Sequence, residues 1–194
     1  MKLEGYKAFD DPYVYPGTSV LRNRLGTRDS AILESFEVEM SALRAEEPLP
    51  RGRFGPAHYR GEHRHLFQDV YVWAGRYRTV RIAKDEAVFC YPENIAAEMD
   101  RAFADLRRQR RQKGVAFDVF IRRAASFLSD LNAIHPFRDG NGRAQLAFLQ
   151  LVSVDAGHPL DLTKVCRSTF LPAMENSFAG DLDPLKRELM ALRG

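Results

Sequence analysis

Nine residues, positions 135–143 (HPFRDGNGR), include the residue types that phosphate chemistry requires. The imidazole of His135 has an unperturbed pKa close to neutral, which suits it to remove a proton from a hydroxyl group. Asp139 offers carboxylate oxygens, which are the kind of ligand that Mg²⁺ prefers. Arg143 can donate paired hydrogen bonds to phosphate oxygens. The stretch therefore predicts phosphoryl or nucleotidyl transfer from a magnesium nucleotide, with His135 as the base and Asp139 as the metal ligand.

The backbone of the same stretch is typical of a turn that opens a helix. Pro136 disfavours helical angles at the residue before it, so a preceding helix should end there and present His135 at a loop edge. Gly140 and Gly142 allow positive φ and carry no Cβ that would block a ligand. Amides at a helix start can point at an anion, and the helix dipole favours that anion too. The predicted phosphate-binding residues are Gly140, Asn141, Gly142 and Arg143.

Two apolar helices must position this turn. Residues 117–134 place apolar side chains at i, i+3, i+4 and i+7 spacing, which predicts a helix that ends where the imidazole begins. Residues 142–156 are apolar almost all round, which predicts a helix in the middle of the protein. The catalytic turn should therefore lie between two buried helices.

The rest of the chain predicts further helices and one short hairpin. A helix capped by Thr27 or Asp29 should bury one apolar stripe on its inner face, and a longer helix should run over residues 57–74. Residues 76–91 alternate around a polar tip at positions 84–86, which indicates a β-hairpin. Further helices should follow Pro92, Asp161 and Asp183. The predicted fold class is all-α, a helical bundle with one short hairpin. The members of the predicted apolar stripe are Ile32, Phe36, Met40 and Leu43.

Length and composition restrict the class of protein. At 194 residues the chain is long enough for one well-buried domain, residues 1–194, and a formal charge of +3 does not require a nucleic-acid partner. The N-terminus lacks the apolar core of a signal peptide, and no apolar run reaches the length of a membrane span. Cys90 and Cys166 lack metal-ligand spacing and suit reduced thiols. We therefore expect a cytoplasmic protein without a membrane or nucleic-acid partner.

Two charged or polar groups could suggest other functions. The basic run at residues 107–113 lacks the aromatic residues that stack on bases, so it favours a solvated helix end over a nucleic-acid site. His58, His63 and His65 have no Cys or carboxylate that completes a ligand set. On a helix, His63 and His65 would also point to different faces. We interpret all three as structural histidines and not as a metal site.

The nine-residue stretch resembles the signature of the Fic family, H-x-F-x-[D/E]-G-N-G-R-x-x-R, and we refer to residues 135–143 as the signature loop. Every fixed position from His135 to Arg143 matches, whereas the final arginine of the pattern is Leu146 here. Residues 11–18 (DPYVYPGT), within an N-terminal arm at residues 1–26, are similar to the start of stand-alone bacterial Fic toxins. The resemblance implies a Fic-like helical bundle that transfers AMP from Mg-ATP to a hydroxyl side chain of a target protein.

In this family a hairpin called the flap covers the active site and holds the target by strand addition. The resemblance therefore implies that the predicted hairpin, about residues 76–91, is this flap. The residues expected to contact the target are Val80, Arg81, Ile82 and Lys84. The alternative is a structural ribbon that seals one end of the bundle.

The resemblance also bears on inhibition, donor and target. The family's inhibitory pattern, S/T-x-x-x-E-G/N, has no match, which implies a separate small antitoxin chain or no inhibitor. Leu146 leaves three alternatives: a substitute cation such as Lys84, another donor (UMP, phosphate or phosphocholine), or slow turnover. Related toxins suggest the B subunits of gyrase and topoisomerase IV as candidate targets. The remaining alternatives are a Fic protein that only binds nucleotide and a helical nucleic-acid-binding protein.

Overall fold

Two long helices hold the signature loop between them. They are α4 (Phe117–Ile134) and α5 (Asn141–Asp155), and the predicted bounds of both are correct to within one residue. In this computed structural model, which describes residues 11–84, 87–110 and 114–194, α4 packs against four other helices and α5 against α2 and α4. The loop is therefore fixed at both ends by buried structure.

Five more α-helices surround this pair in the described part of the chain. They are α1 (Ser30–Glu46), α2 (Pro56–Phe67), α3 (Ile95–Arg110), α6 (Arg167–Phe178) and α7 (Asp183–Ala191). Short 3₁₀ turns at Pro92–Asn94 and Leu162–Lys164 precede α3 and α6. The strands β1 (Ala83–Lys84) and β2 (Ala87–Val88) form one antiparallel pair. The predicted all-α class with a short hairpin is confirmed. No helix in the described ranges is both long enough and apolar enough to span a membrane.

The helix predicted over residues 57–74 is too long. The helix α2 ends at Phe67, and turns follow up to Gly75, which has a φ of 77°. In these turns the rings of Tyr71 and Trp73 stack with centroids 4.3 Å apart. Residues two apart on a helix face different directions, so this stacking requires non-helical backbone. The turns also receive the N-terminal arm, because the backbone N–H of Arg24 donates to the carbonyl of Val70 at 2.8 Å.

The predicted start of α1 is correct, but two of the four residues predicted to form its buried stripe are exposed. The carboxylate of Asp29 accepts hydrogen bonds from the first amides of α1. Ile32 and Leu43 lie half exposed to solvent, whereas Leu33 and Ser41 are buried. The buried face has rotated because α1 packs on α2 and also reaches the start of α5, where Ser41 contacts Arg143.

The predicted hairpin at residues 76–91, which we call the flap from here on, has shorter strands than its sequence pattern suggested. Each strand contains two residues, with Ala83 opposite Val88 and Lys84 opposite Ala87. Ile82 and Phe89 are buried on either side of the pair and anchor it to the bundle. Residues 85 and 86 of the predicted tip, the first ten residues of the arm, and residues 111–113 of the basic run lie outside the described residues.

Candidate active site

His135 occupies the C-terminal cap of α4 with left-handed backbone angles, φ 47° and ψ 62°. Its N–H still donates to the carbonyl of Leu131 at 2.9 Å, so the backbone of His135 is fixed to the last turn of α4. Because Pro136 disfavours helical angles at the residue before it, the helix ends where the sequence predicted. The imidazole is therefore presented by a rigid element.

The imidazole of His135 is buried and not at an open loop edge, which corrects the prediction. Phe89 of the flap stacks on its ring with centroids 4.1 Å apart. Burial lowers the pKa of His135 to about 3, so the ring is neutral near pH 7. Its Nδ1 lies 3.3 Å from the carbonyl oxygen of Asn132. Because a carbonyl only accepts, Nδ1 carries the hydrogen and Nε2 keeps the lone pair of a base.

The side chain of Asn141 forms hydrogen bonds within the signature loop and stabilises it. Its Oδ1 accepts from the N–H of Phe137 at 3.0 Å, and its Nδ2 donates to the carbonyl of Phe137 at 2.9 Å. The side chain is almost wholly buried. In this structure both polar atoms of the side chain hold the loop, so the backbone N–H is the better-placed donor for the predicted phosphate contact of Asn141.

His63 holds the middle of the signature loop. The N–H of Gly75 donates to its Nδ1 at 2.9 Å, so Nε2 carries the hydrogen and donates to the carbonyl of Asp139, also at 2.9 Å. The ring stacks on Phe137 with centroids 3.8 Å apart, and burial lowers the pKa of His63 to about 3. A neutral His63 thus links α2 to the loop. The sequence suggested a structural histidine but not this contact.

The two glycines of the loop have different roles. Gly140 has a φ of 77°, and a Cβ there would lie 2.5 Å from the ring of Phe67. Gly142 is exposed and has ordinary helical φ, contrary to the expectation of positive φ, and a Cβ there would meet nothing within 4 Å. The first amides of a helix have no acceptor within it, so the amides of residues 141–143 are oriented donors next to open space.

Asp139 fits the predicted role of metal ligand. Its Oδ1 accepts from the N–H of Gly140 at 2.6 Å, and among the described residues no hydrogen bond reaches its other oxygen. Burial and the nearby carboxylate of Glu37 raise the pKa of Asp139, with Arg143 acting in the opposite direction. A divalent cation would offset this repulsion between carboxylates, and Mg²⁺ usually takes one or two of them.

Arg143, the predicted phosphate ligand, contacts α1 in this structure. Its Nη2 donates to Oε1 of Glu37, and its Nη1 donates to Oγ of Ser41 at 2.9 Å. The guanidinium also lies 4.5 Å over the ring of Phe67, and the hydroxyl of Tyr71 donates to Glu37. Sequence reasoning missed Glu37 because it lies 106 positions from Arg143, and no local spacing connects the two.

The four predicted flap residues occupy different environments. Ile82 is buried, so its side chain cannot contact a target, which corrects the prediction for that side chain. Arg81 is exposed and lies over the ring of Tyr91 at 4.1 Å. Lys84 donates to Oε1 of Glu175 on α6 at 2.9 Å. The carbonyl of Val80 accepts a hydrogen bond from Arg78 at 2.7 Å. Arg78 itself was not predicted, because a single arginine in a hairpin gives no sequence signal.

The N-terminal arm reaches the signature loop through a buried ion pair. Asp11 accepts from both Nε and Nη2 of Arg138 at 2.7 Å, and both side chains are less than a tenth exposed. The arm also contacts the flap, because the hydroxyl of Tyr13 accepts from the N–H of Thr79 at 3.2 Å. Leu146, at the position of the missing arginine, is half-buried and packs against the main core.

Comparisons with known proteins agree with this geometry. Residues 54–153 match the model of the Fic/DOC family. A probable protein adenylyltransferase of Sinorhizobium fredii is 49% identical over 185 residues, which cover 95% of this chain and 96% of that protein. One from Salmonella typhimurium is 36% identical, over 91% of this chain and 88% of that protein.

Solved structures agree as well. The BepC protein of Bartonella tribocorum, a translocated effector solved with bound AMPPNP, is similar with a TM-score of 0.84 and 27% identity. The match covers 94% of this chain and 96% of that one. The chain therefore belongs to the Fic/DOC family.

Proposed function

We propose that this chain is a protein adenylyltransferase that transfers AMP from ATP to a hydroxyl side chain of a target protein. The names of its relatives and the AMPPNP bound to BepC support this assignment. One observation carries the proposal. A neutral imidazole with its lone pair on Nε2 stands at one end of a loop whose other end presents helix-start amides.

In the proposed reaction, His135 removes the proton from the target hydroxyl through Nε2. The hydroxyl oxygen forms a bond to the α-phosphorus of ATP as the bond to the bridging oxygen breaks and pyrophosphate leaves. General-base assistance of this kind contributes about 10²–10⁴ in rate. Because Nδ1 is held by the carbonyl of Asn132, the ring does not need to change tautomer before it reacts.

The phosphates would lie against the start of α5. The backbone amides of residues 141–143 would stabilise charge on the phosphate oxygens, and the exposed face of Gly142 leaves room for them. Arg143 would have to exchange its contact with Glu37 for a contact with phosphate. Asp139 would hold Mg²⁺, which neutralises phosphate charge when bound.

The flap would guide the target. Its short strands have an edge to which an extended segment can add by backbone hydrogen bonds. Val80 and Arg81 lie beside this edge, and Lys84 is bound to Glu175, so its use as a substitute phosphate ligand would require that ion pair to open. Phe89 stacks on the face of the His135 ring and so joins the flap to the proposed base.

Leu146 favours a second candidate, a related transferase with another donor. An apolar side chain replaces the family's last arginine, and a hydrogen bond to a charged group is worth about 1.5–3 kcal/mol. UMP, phosphate and phosphocholine are the donor groups to compare with AMP. A Fic protein that binds nucleotide without turnover is the third candidate.

The proposal extends to partners and location. We propose that this chain is a cytoplasmic toxin and that a separate small antitoxin inhibits it. The resemblance to Fic toxins and the unmatched inhibitory pattern support this proposal. The B subunits of gyrase and topoisomerase IV are the first targets to test.

The test is intact-mass analysis of these B subunits, and of labelled lysate proteins, after incubation with ATP, UTP and other donors. We expect a mass gain of one AMP with ATP that disappears in His135→Ala. The control His65→Ala removes a histidine of α2 whose Nε2 bonds to the carbonyl of Arg44, away from the loop. A gain of another group would reassign the donor, and nucleotide binding without any gain would contradict the transferase.

A further inference from the structure

Arg78 lies where the flap meets the C-terminus of α4, the helix that ends at His135. Its side chain is almost completely buried. Its Nε donates to the carbonyl of His135 at 2.8 Å, and its Nη2 donates to that of Ile134 at 3.1 Å. These carbonyls lie at the C-terminus of α4, where they have no partner within the helix and where the dipole favours a cation. Arg78 therefore caps the helix that presents the imidazole.

The same guanidinium also holds both ends of the flap. Its Nη1 donates to the carbonyl of Val80, just before β1, at 2.7 Å. Its Nη2 donates to the carbonyl of Cys90, just after β2, at 2.5 Å. In addition, the backbone N–H of Arg78 donates to the carbonyl of Pro136 at 2.9 Å. One side chain thus joins the entry of the flap, its exit and the end of α4.

We propose that Arg78 is a positioning residue that fixes the flap relative to His135, so that a hydroxyl held along the flap arrives at the imidazole. This inference rests on the proposed function. It assigns Arg78 no contact with substrate, because its donors are directed at backbone carbonyls inside the protein.

The flap needs such an anchor because its own strands are short. A pair of two-residue strands has too few hydrogen bonds to fix its orientation. Further buried contacts lie at the same place: the N–H of Cys90 donates to the carbonyl of Ala133 at 3.1 Å, and Phe89 stacks on His135. The tip contact between Lys84 and Glu175 is partly exposed, and such pairs contribute little. The orientation of the flap therefore depends mainly on the buried contacts at the two ends of the hairpin.

Lysine is a poor substitute for this residue. A guanidinium has five N–H groups in a fixed plane, and here they reach four carbonyls at once. The ammonium of lysine has three donors around one point, so it cannot span the flap and the helix together. We therefore expect a graded series, with Arg78→Lys between the wild type and Arg78→Gln.

The first experiment separates kcat from KM, using ATP and the acceptor protein that the wild type labels. We expect Arg78→Gln to lower kcat per folded molecule about 100-fold, the scale of a 1 Å misplacement, with the KM for ATP unchanged within about twofold. The control Leu189→Ala opens a cavity in α7, where Leu189 is fully buried, and should lower stability without this loss. Unchanged kcat per folded molecule in Arg78→Gln would overturn the inference. If that variant does not fold, the same criterion applies to Arg78→Lys.

A second measurement needs no substrate. Hydrogen exchange at the amides of Phe89 and Cys90 should accelerate at least tenfold in the Arg78 variants but not in Glu175→Gln, which releases only the flap tip. If exchange stays at the wild-type rate in both Arg78 variants, Arg78 does not fix the flap, whatever group the enzyme transfers. If the wild type modifies no protein while exchange accelerates as expected, the proposed function fails, but the proposed role of Arg78 in fixing the flap is supported.

Discussion

The two ends of the signature loop differ in how far the folded chain covers them. At the closed end, residues 135–137, the imidazole lies beneath Phe89, and the ring of Phe137 stacks on His63. At the open end, residues 141–143, Gly142 is exposed and the guanidinium of Arg143 is partly exposed. The proposed base is thus fixed by packing, whereas the proposed anion site has open space beside Gly142, and its Arg143 is bound to the carboxylate of Glu37. The difference suits the proposed group transfer, because a base must be held rigidly, whereas a site that exchanges nucleotide for product must stay open to solvent.

The largest expected effect is at the closed end. In His135→Ala, kcat should fall about 10²–10⁴-fold because the base is lost, while nucleotide Kd should stay within about twofold because the phosphates bind elsewhere. Titration calorimetry and single-turnover kinetics measure the two quantities. If nucleotide affinity fell together with kcat, the two ends would not be independent, and the comparison would fail.

The second-largest effect is expected at Gly140, which lies between the closed end and the open end of the signature loop. Gly140→Ala should lower the free energy of unfolding by about 2–4 kcal/mol, because alanine is strained at a φ of 77° and its Cβ would press on the buried ring of Phe67. Urea denaturation measures this effect. The control Gly142→Ala lies at a helical φ in open space, so it should leave stability within about 1 kcal/mol but weaken nucleotide binding. If Gly142→Ala binds nucleotide as the wild type does, the open end is not the phosphate site.

The third prediction concerns α2, which supports the loop through His63. The carboxyl of Glu62 is fully buried with its Oε1 3.0 Å from Nε2 of His58, and burial raises the pKa of Glu62 from 4.5 to about 7. The folded state therefore binds this proton more tightly than the unfolded state, and stability is lost as pH rises from about 4.5 through about 7. Glu62→Gln should be more stable than the wild type by about 2–3 kcal/mol at pH 8, and the gain should vanish near pH 4.5.

Thermal or urea unfolding of Glu62→Gln at several pH values checks the sign. The exposed Glu46→Gln on α1 is the control for the loss of a carboxylate that is not buried. A gain for Glu62→Gln that is equal at pH 4.5 and pH 8 would mean that its cause is not the buried charge.

The smallest effect is expected at the open end. In Glu37→Gln the carboxylate that holds Arg143 becomes a neutral amide, so the guanidinium should turn more readily to phosphate. Nucleotide Kd should fall about 3–10-fold, which corresponds to about 0.7–1.4 kcal/mol, the net worth of one typical hydrogen bond. The control Glu39→Gln lies on the exposed side of the same helix. Weaker binding in Glu37→Gln would show that Glu37 aligns Arg143 for phosphate and does not compete with it.

The sequence by itself determined the parts that depend on neighbours along the chain. The periodicity of residues 117–134 and the angles that Pro136 imposes were enough to place His135 at the end of a helix. Of the two loop glycines expected at positions of positive φ, Gly140 has it and Gly142 does not. These features follow from local backbone geometry, which short segments encode. The signature loop was also sufficient to predict the Fic family, which the comparisons confirm.

Only the tertiary structure decided what surrounds that loop. The contacts of Glu37 with Arg143, of His63 with Asp139 and of Arg78 with His135 join residues 57 to 106 positions apart. Such pairs depend on how helices pack, and no periodicity specifies them. The burial of His135 was missed for the same reason. Whether a base at a helix end faces solvent is set by what folds over it, and here that cover is a phenylalanine from the flap.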